Sequence, residues 1–377
     1  MGLDAQVAVV GLGAIGSSAA WQLAARGADV VAFEQHEPGH DRGGSHGVTR
    51  LFRVACLEHP TLVPIARRAR TLWRELEEAS GQDLLHATGG LMIGEPGSRI
   101  VAGTLLAART HGVPVEEIDR AEIARRFPAH ARVDDGQVGV WDPEAGVLRP
   151  EAAIRAAVDA ARVAGARVVT GTRVVAIEPD DDGVTVRTAD GVTRVAQVVV
   201  TAGPWIDRFV PLPLVPHRQL LTWFRARPGE RADLDVLPVF VRRVPGRDTW
   251  VWGHGAMPGV FDVKVGPEFD GPVERVDPDA VDRTIHPGET ALVEDLVAAT
   301  FPALAPTVTA VTTCLMTHTP DQQFTVGPTH HPRVVVGGGC SGHSFKHASA
   351  LGELVAQHVL GDPRFVDDGF LDPRRFG

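Results

Sequence analysis

The sequence predicts an α/β fold with two domains, a Rossmann-like domain and a second domain built on a mostly antiparallel sheet. Three observations predict it. Residues 6–33 have the pattern strand, glycine-rich turn, helix, strand; residues 167–201 alternate strand-like runs with turns; residues 216–320 hold many prolines and strand-like segments without a βαβ rhythm. A chain of 377 residues is also longer than one core usually fills.

The first βαβ unit is expected near the N-terminal end of the sequence. Residues 6–10 are predicted to form a strand, and residues 17–26 a helix that stops at Gly27, because glycine is common just after a helix. A second strand is predicted over residues 29–33, ending at Glu34. This unit has the length of a nucleotide-binding βαβ unit.

The glycines between the first strand and helix have the spacing of a dinucleotide-binding loop. Gly11 permits a tight turn, Gly13 lets the backbone approach a pyrophosphate, and Gly16 lets helix and strand pack closely. The helix N-terminus offers N–H groups to the phosphates, and Glu34 can accept from both ribose hydroxyls. The loop does not separate FAD from NAD, so an NAD-linked dehydrogenase stays an alternative.

Later segments indicate that the chain leaves the first domain and returns to it. A helix is expected over 150–164, and strands over 167–170, 173–177, 184–188 and 196–201. A strand over 332–339 is expected to lead into a helix over 341–358. The predicted dinucleotide-binding domain therefore comprises 1–85, 148–215 and 321–377, and the predicted substrate domain comprises 86–147 and 216–320.

Composition argues against several other classes of protein. The net charge of −10 disfavours nucleic-acid binding, and no run of 18 apolar residues predicts a membrane span. Cys56, Cys314 and Cys340 are too few and too scattered for a disulfide framework or a cysteine-rich metal site. No basic, signal-like segment precedes the first strand, so we expect a cytoplasmic protein without a bound metal.

Four separated segments resemble the monomeric sarcosine oxidase and N-methyltryptophan oxidase family of flavin amine oxidases. They are residues 47–53 (GVTRLFR), residues 199–205 (VVTAGPW), Cys314 with residues 319–321 (TPD), and residues 341–346 (SGHSFK). The resemblance runs nearly end to end. It implies the D-amino-acid oxidase fold, FAD instead of NAD, and a monomeric enzyme that takes a small amine and O₂.

The resemblance also assigns contacts with the cofactor. Cys314 matches the cysteine that carries the flavin as an 8α-thioether, with a buried packing cysteine as the alternative. The helix expected to open near Gly342 would point its positive end at the pyrimidine end of the flavin. The expected cofactor-binding residues are Gly11, Gly13, Ile15, Gly16, Glu34, Gln35, Arg42, Ser45, His46, Thr49, Arg50, Val174, Ala202, Gly203, Trp205, Cys314, Gly342, His343, Ser344, Phe345 and Lys346.

Substrate and oxygen contacts follow from the same resemblance. Arg53 and Lys346 match residues that grip the substrate carboxylate, and two cations in a closed site are costly unless an anion joins them. Arg50 and Arg53, three residues apart, are expected on one side of a helical turn. Lys264 matches the lysine that activates oxygen, and Arg50 with His46 matches residues beside the flavin ring; these three are the expected catalytic residues.

The predicted substrate pocket departs from that of sarcosine-specific enzymes. The chain contains no tyrosine, and Met316 stands where those enzymes have one. Trp252 and His254 occupy the other aromatic positions, and Glu268 replaces a histidine. Methionine is an adaptable apolar residue and tryptophan can stack on an aromatic group. These changes argue against sarcosine itself as the substrate.

The sequence therefore predicts an FAD-dependent oxidase of a secondary amine that carries a carboxylate, either an N-methyl amino acid or a cyclic imino acid. Hydride transfer to the flavin would give an imine, and O₂ would be reduced to H₂O₂ near Lys264. The general base stays unassigned, with His343 and His318 nearby. The alternatives are an NAD-linked or flavin dehydrogenase that does not use O₂, an oxidative tailoring enzyme of a specialised metabolite, and a non-catalytic flavin-binding module.

Overall fold

The structure, a computed structural model, describes residues 2–130, 132–257, 259–268 and 273–377. Within these ranges the α-helices are α1 (Ala14–Ala25), α2 (Leu62–Ser80), α3 (Arg99–His111), α4 (Arg120–Arg126), α5 (Pro150–Val163), α6 (Ala291–Thr300) and α7 (Ala348–Leu360). The strands are β1 (Ala5–Val10), β2 (Val30–Phe33), β3 (Arg50–Phe52), β4 (Leu85–Ala87), β5 (Gly90–Gly94), β6 (Glu116–Ile118), β7 (Val138–Asp142), β8 (Gly146–Leu148), β9 (Arg167–Val169), β10 (Val174–Pro179), β11 (Val184–Thr188), β12 (Val192–Val200), β13 (Val215–Ala226), β14 (Val239–Arg243), β15 (Trp250–His254), β16 (Val263–Pro267), β17 (Leu304–His318), β18 (Thr325–Pro328) and β19 (Val334–Gly338).

The first sheet has the order β10-β11-β12-β1-β2-β9, and β19 pairs with both β12 and β18. The strands β19, β12, β1, β2 and β9 run parallel, which is the arrangement that βαβ connections produce. Helices α1, α2, α5 and α7 contribute to a large apolar cluster with side chains of this sheet, while its other side chains form a second cluster. These features confirm the predicted α/β fold.

Close packing of two helices fixes the position of the dinucleotide loop. Gly352 of α7 lies against α1, where an added Cβ would be only 2.5 Å from the Cβ of Ser18. The same crossing is held by Glu353, whose buried carboxylate pairs with Arg26 at 2.7 Å and with Arg68 at 2.6 Å. Helices α1, α2 and α7 therefore form one unit beneath the glycine loop.

The second sheet has the order β17-β13-β16-β15-β14-β5-β7-β6. Every adjacent pair is antiparallel except β14 and β5, which run parallel. A small sheet, β3-β8-β4, carries the strand that begins at Arg50. The second sheet is therefore mostly antiparallel, as predicted, while the domain limits given above stay a prediction.

Two local predictions are wrong. The helix expected over 341–358 does not begin at Ser341: Ser341 and Gly342 have φ of 43° and 78°, which an α-helix does not admit. A 3₁₀ turn at Phe345–His347 follows, and α7 begins only at Ala348. Arg50 is not in a helical turn either, because it opens strand β3. None of the described helices is long and apolar enough to cross a membrane.

Candidate flavin and substrate site

A cavity of about 590 Å³ is lined by residues of both large sheets and of the loops between them. The β1–α1 loop forms one part of its wall, strands β13, β15 and β17 form another, and the segment after β19 forms a third. Its lining includes both the glycine loop and the carboxylate-binding residues predicted above.

The three loop glycines have different surroundings. A Cβ at Gly11 (φ 93°) would lie 2.8 Å from the Ala202 Cα, and a Cβ at Gly16 would lie 1.9 Å from the Gly11 carbonyl oxygen. A Cβ at Gly13 would meet only the Ser45 hydroxyl, at 3.8 Å, so this glycine leaves open space at the start of α1. Helix α1 has no capping side chain and no acid in its first turn. This N-terminus fits a phosphate group.

Glu34 is held by the loops on both sides of it. One carboxylate oxygen accepts from the Leu12 N–H at 2.8 Å and the other from the His36 N–H at 3.0 Å. Burial raises the pKa of Glu34, but His40 and these N–H groups together lower it by more. The pKa of Glu34 is therefore below its ordinary value. Each oxygen keeps a second lone pair, and the ionised carboxylate can still accept from a ribose hydroxyl.

An acidic segment crosses the same end of the cavity. The Trp205 indole N–H donates to Asp279 at 2.7 Å, and Arg173 bonds the other oxygen of Asp279 at 2.7 Å. Arg208 donates to Asp277 at 2.8 Å. Trp205, Arg173 and Arg208 all line the cavity, so these bonds tie the segment before α6 to the wall of the predicted dinucleotide site.

Cys314 lies on β17 against the loop that precedes β3. Its Sγ is buried, 3.6 Å from the Gly44 carbonyl oxygen and 3.6 Å from the Arg50 Nη2. Burial raises the pKa of the thiol, and the Arg50 guanidinium opposes that shift. The Leu315 N–H donates to the Gly43 carbonyl at 3.2 Å and keeps the loop and strand together. Cys314 therefore lines the cavity as a protonated thiol next to a cation.

Lys264 is fully buried behind this loop. Its ammonium group donates to the carbonyl oxygens of Gly47 at 2.8 Å and Thr49 at 2.9 Å, and lies 5.1 Å from the Trp223 ring centroid. Burial lowers the pKa of Lys264, and the nearby Arg50 lowers it further. The chain contains only two lysines, Lys264 and Lys346, and both are buried in this region.

His254 and His46 are neutral and buried near Lys264. The His254 Nδ1 faces the Gly255 carbonyl at 2.9 Å and must carry the proton, so Nε2 accepts from the Thr49 hydroxyl at 2.8 Å. Burial lowers the pKa of His254 to about 3 and that of His46 to about 4. Within the described structure, the buried Nε2 of His46 has no hydrogen-bond partner. We assign both imidazoles as neutral at physiological pH.

Arg53 and Lys346 converge on a carboxylate that sequence reasoning missed. One oxygen of Glu58 lies 2.6 Å from the Arg53 Nη2 and 3.0 Å from the Lys346 Nζ. Burial raises the pKa of Glu58, but the two cations outweigh burial and hold it well below its ordinary value. In the described part of the chain, the buried Nε and Nη1 of Arg53 have no partner. The cation pair therefore keeps a positive charge and free donors.

The backbone that carries Arg53 is fixed from the second sheet. Asp142, at the end of β7, accepts from the N–H groups of Val54 and Ala55, both at 3.2 Å. Burial raises the pKa of Asp142, and these hydrogen bonds oppose the shift. Sequence reasoning could have found the need for Glu58, because a buried arginine requires a partner, but it could not choose among the chain's many acids.

Trp252 is folded against its own sheet. A Cβ at Gly266, its partner on β16, would lie 2.3 Å from the Trp252 ring, and the indole N–H donates to the Pro267 carbonyl at 3.2 Å. Met316 lines the cavity near Gly342, where an added Cβ would be 3.4 Å from the Met316 sulfur. The glycine on β16 therefore makes room for the indole beside the cavity.

Most of the predicted site residues line this one cavity. Those in its wall are Gly11, Gly13, Ile15, Glu34, Gln35, Ser45, Thr49, Arg50, Arg53, Val174, Ala202, Gly203, Trp205, Trp252, Cys314, Met316, Gly342, His343, Ser344, Phe345 and Lys346. Gly16, His46, His254 and Lys264 do not line it and are buried. Arg42 has an exposed side chain 3.3 Å from Asp41 and is also outside the wall. Their roles stay predictions.

The described residues contain no group of three or more His, Cys, Asp or Glu side chains placed to hold a metal ion. The features of the cavity fit a dinucleotide instead. Open space at Gly13, an ionised Glu34 and a cavity that reaches a buried thiol together suit a molecule with a pyrophosphate, a ribose and a second ring system.

Comparison with known proteins places the chain among flavin enzymes. The sequence pattern of the family described as FAD dependent oxidoreductase matches residues 6–358. The chain is 34% identical to a monomeric sarcosine oxidase of Streptomyces avermitilis, covering 98% of this chain and 97% of that protein. It is 32% identical to an N-methyl-L-tryptophan oxidase of Citrobacter koseri, with 94% of each chain covered.

Two solved structures extend this comparison. The open form of NikD, described as an unusual amino acid oxidase essential for nikkomycin biosynthesis, has a TM-score of 0.83 and 26% identity, covering 98% of this chain and 97% of its own. An L-proline dehydrogenase from P. horikoshii has a TM-score of 0.83 at 20% identity, covering 100% and 98% of the two chains. At that identity, the second likeness concerns the fold alone.

Acid should destabilise this protein as the pH falls from about 6.5 toward 4. The pKa values of His46 and His217 are lowered by burial to about 4, and that of His254 to about 3. Below about pH 6.5 the unfolded chain binds protons that these folded imidazoles exclude, so the free energy of unfolding falls with pH. Thermal unfolding between pH 7.5 and 4.5 should show a decreasing Tm.

The variant His254→Gln should lose part of this pH dependence, because it removes one depressed imidazole pKa. The matched control is His330→Asn, at an exposed position, which should keep the slope of the parent protein. A Tm that does not change over this range would contradict the assignment of neutral buried histidines.

Proposed function

The chain belongs to the FAD-dependent oxidoreductase family, and we propose that it is an oxidase of a secondary amine that carries a carboxylate, either an N-methyl amino acid or a cyclic imino acid. It is an FAD-dependent enzyme of the sarcosine oxidase and N-methyltryptophan oxidase type. The observation that carries the finer proposal is the pair of buried cations, Arg53 and Lys346, in the wall of the dinucleotide cavity.

This cation pair is suited to a second carboxylate. Glu58 supplies one negative charge to two positive charges, which leaves a net positive charge in a buried place. The unpartnered Nε and Nη1 of Arg53 are the two donors that a carboxylate could engage in addition to Glu58 or in its place. A substrate carboxylate therefore improves the electrostatics of the site, whereas a neutral amine would leave it uncompensated.

The names of the relatives agree with this class of substrate. Sarcosine and N-methyl-L-tryptophan are both N-methyl amino acids, and the NikD protein is described as an amino acid oxidase. Apolar side chains at the same part of the cavity, Trp252, Trp250 and Leu57, give room and contact for a substrate larger than sarcosine. A cyclic imino acid or an N-methyl amino acid with a bulky side chain would use that wall.

When bound, FAD would accept two electrons, as a hydride, from the C–H bond next to the substrate nitrogen. This chain's residues hold the reactants in place: Arg53 and Lys346 bind the carboxylate, and Arg50 keeps positive charge beside Cys314. Lys264 supplies a buried cation that would stabilise negative charge during reduction of oxygen. Its hydrogen bonds to Gly47 and Thr49 fix that charge without a counter-anion.

A thioether between Cys314 and the flavin is part of the proposal. The three cysteines are free, and only Cys314 is buried in the wall of the cavity. The Arg50 guanidinium, 3.6 Å from its sulfur, would favour the thiolate. The thioether would replace a C–H bond of the flavin 8α-methyl group; the proton would leave to solvent, and the two electrons would be taken up by the flavin and passed on to O₂. Free cysteines also agree with a reducing compartment, and we propose a cytoplasmic, monomeric enzyme.

A flavin dehydrogenase that does not use oxygen is the second candidate. The fold similarity to an L-proline dehydrogenase keeps it open, because that fold is compatible with other electron acceptors. A tailoring enzyme of specialised metabolism would share the same chemistry with another substrate, as the description of NikD indicates for that protein. Reactivity of the reduced enzyme with oxygen distinguishes the proposed oxidase from a dehydrogenase. The range of accepted substrates distinguishes it from a tailoring enzyme.

The proposal is tested with purified, FAD-loaded protein and a panel of N-methyl amino acids and cyclic imino acids. Flavin bleaching without oxygen and peroxide release in air should both occur, and the methyl ester of a good substrate should be oxidised poorly. Arg53→Gln should raise KM for the acid about 100-fold with a smaller change in kcat, because a charged hydrogen bond is lost.

The ester serves as the matched control, since Arg53→Gln should change its KM far less than that of the acid. An enzyme that oxidises ester and acid equally well would contradict the carboxylate proposal. Substrate oxidation without peroxide in air would contradict the oxidase proposal and favour the dehydrogenase.

Lys264→Met should slow reoxidation of the reduced flavin by oxygen at least about 100-fold, because a fixed cation near the reacting oxygen is removed. Rapid-mixing absorbance at the flavin band measures this step. Reduction by substrate without oxygen is the internal control and should change only a few-fold. Unchanged reoxidation would remove Lys264 from the oxygen step and support a flavin-binding module without this activity.

Cys314→Ser should release its flavin when the protein is denatured in acid, whereas the parent protein should give a yellow pellet. The reason is that serine cannot form the thioether. Absorbance of pellet and supernatant, with the mass of the intact protein, measures attachment. Cys340→Ser is the matched control and should keep the flavin in the pellet. A colourless pellet from the parent protein would show that the flavin is not covalently bound.

A further inference from the structure

Arg99 lines the cavity, although its side chain is exposed. It is the first residue of α3, the helix that packs behind Leu57 and Trp252. Helix α3 lies against Leu57, because a Cβ at Gly103 would be 2.6 Å from the Leu57 carbonyl oxygen, and the next residue, Glu58, contacts the carboxylate-binding cations. Nothing in the chemistry proposed above uses this arginine.

No hydrogen bond or ion pair to Arg99 is found in the described structure. This is unusual here, because most other arginines of the chain bond a carboxylate or a backbone carbonyl. The start of α3 also has no acid in its first turn, so the positive end of the helix adds to the charge of Arg99. The cation is therefore left uncompensated at the edge of a cavity.

Apolar side chains of the cavity wall pack with the first turn of α3. Leu57 belongs to an apolar cluster in which Trp250 and Trp252 are partly buried members, and all three line the cavity. The cavity lining thus combines the positive Arg53–Lys346 site, an apolar cluster and a second positive side chain. Glu268, an acid in the same part of the wall, has an interaction of its own.

We propose that Arg99 binds a second carboxylate, carried at the far end of the side chain of the amino acid substrate. The first carboxylate would occupy the Arg53–Lys346 site, the apolar stem would lie along Leu57 and the two tryptophans, and the distal carboxylate would meet the free guanidinium. The preferred substrate class is then an N-substituted amino diacid. This inference rests on the proposed function for the identity of the first site.

Because the guanidinium is exposed, the effect on binding should be moderate. A hydrogen-bonded pair at a solvent-accessible position is worth about fivefold in affinity, and less at high salt. The distal carboxylate would therefore act through selectivity between related substrates more than through overall affinity. The test compares a carboxylate with its isosteric amide, so that size and shape stay the same.

The experiment uses the FAD-loaded full chain and non-oxidisable ether analogues, in which oxygen replaces the amine nitrogen. Dissociation constants of 2-methoxyglutarate, of 2-methoxyadipate and of the corresponding distal monoamides are measured by calorimetry at low ionic strength. For at least one length, the diacid should bind about fivefold more tightly than its amide. In Arg99→Gln the dissociation constants of the diacid and its amide should agree within about twofold. In Arg99→Glu the amide should bind more tightly than the diacid.

Arg109→Gln is the matched control, because Arg109 lies in the last turn of the same helix and pairs with Glu117 at 3.2 Å. It should keep the diacid preference of the parent protein. Equal binding of diacid and amide at both lengths, or an undiminished preference in Arg99→Gln, overturns the inference.

Oxidation of the corresponding N-methyl amino diacids distinguishes the two proposals. If the diacid ethers show the Arg99-dependent preference but no amine in the panel is oxidised, the proposed function fails and the second anion site stands. If the amines are oxidised with no preference for diacids in either protein, the oxidase proposal stands and the Arg99 inference fails.

Discussion

Burial of positive charge is the constraint on which the arrangement of this site depends. Arg53, Lys264 and Lys346 are each nine-tenths or more buried, and the Glu58 carboxylate is in direct contact with Arg53 and Lys346. A buried cation is costly unless carbonyl oxygens, carboxylates or a ligand compensate it. All three kinds of compensation are present. Carbonyl oxygens surround the Lys264 ammonium group, the Glu58 carboxylate lies between Arg53 and Lys346, and Arg53 keeps unpartnered N–H groups that an anionic ligand could bind.

The second sheet holds the segment around β3 on both sides of that strand. Lys264 of the second sheet bonds to the carbonyls of Gly47 and Thr49, and Asp142 bonds to the backbone just after Arg53. The sheet that covers the cavity therefore also fixes the loop that carries the binding residues. Displacement of either strand would move the cations relative to the dinucleotide loop, which is anchored separately by α1 and α7.

The fold could be predicted well from sequence where local pattern determines structure. The glycine loop, the first βαβ unit and the strands around residue 190 have short-range patterns that depend on turn residues and alternation. The start of α7 could not be predicted, because nothing in the sequence shows that Ser341 takes a left-handed conformation. Glu58 was missed for a related reason: its role exists only once the end of β3 and the 3₁₀ turn before α7 are brought together. The cavity walls likewise depend on cross-strand register, as with Trp252 over Gly266.

The chain has very few side-chain amines, because it contains only two lysines. Every side-chain amine in the sequence belongs to Lys264 or Lys346, and both lie beside the cavity. Reagents that acylate or reductively methylate amines would find no lysine on the surface to consume them. Isotopic methylation would thus place side-chain probes only at the two amines nearest the chemistry, and apart from the α-amino group no other amine would add a resonance to those that report occupancy of the site.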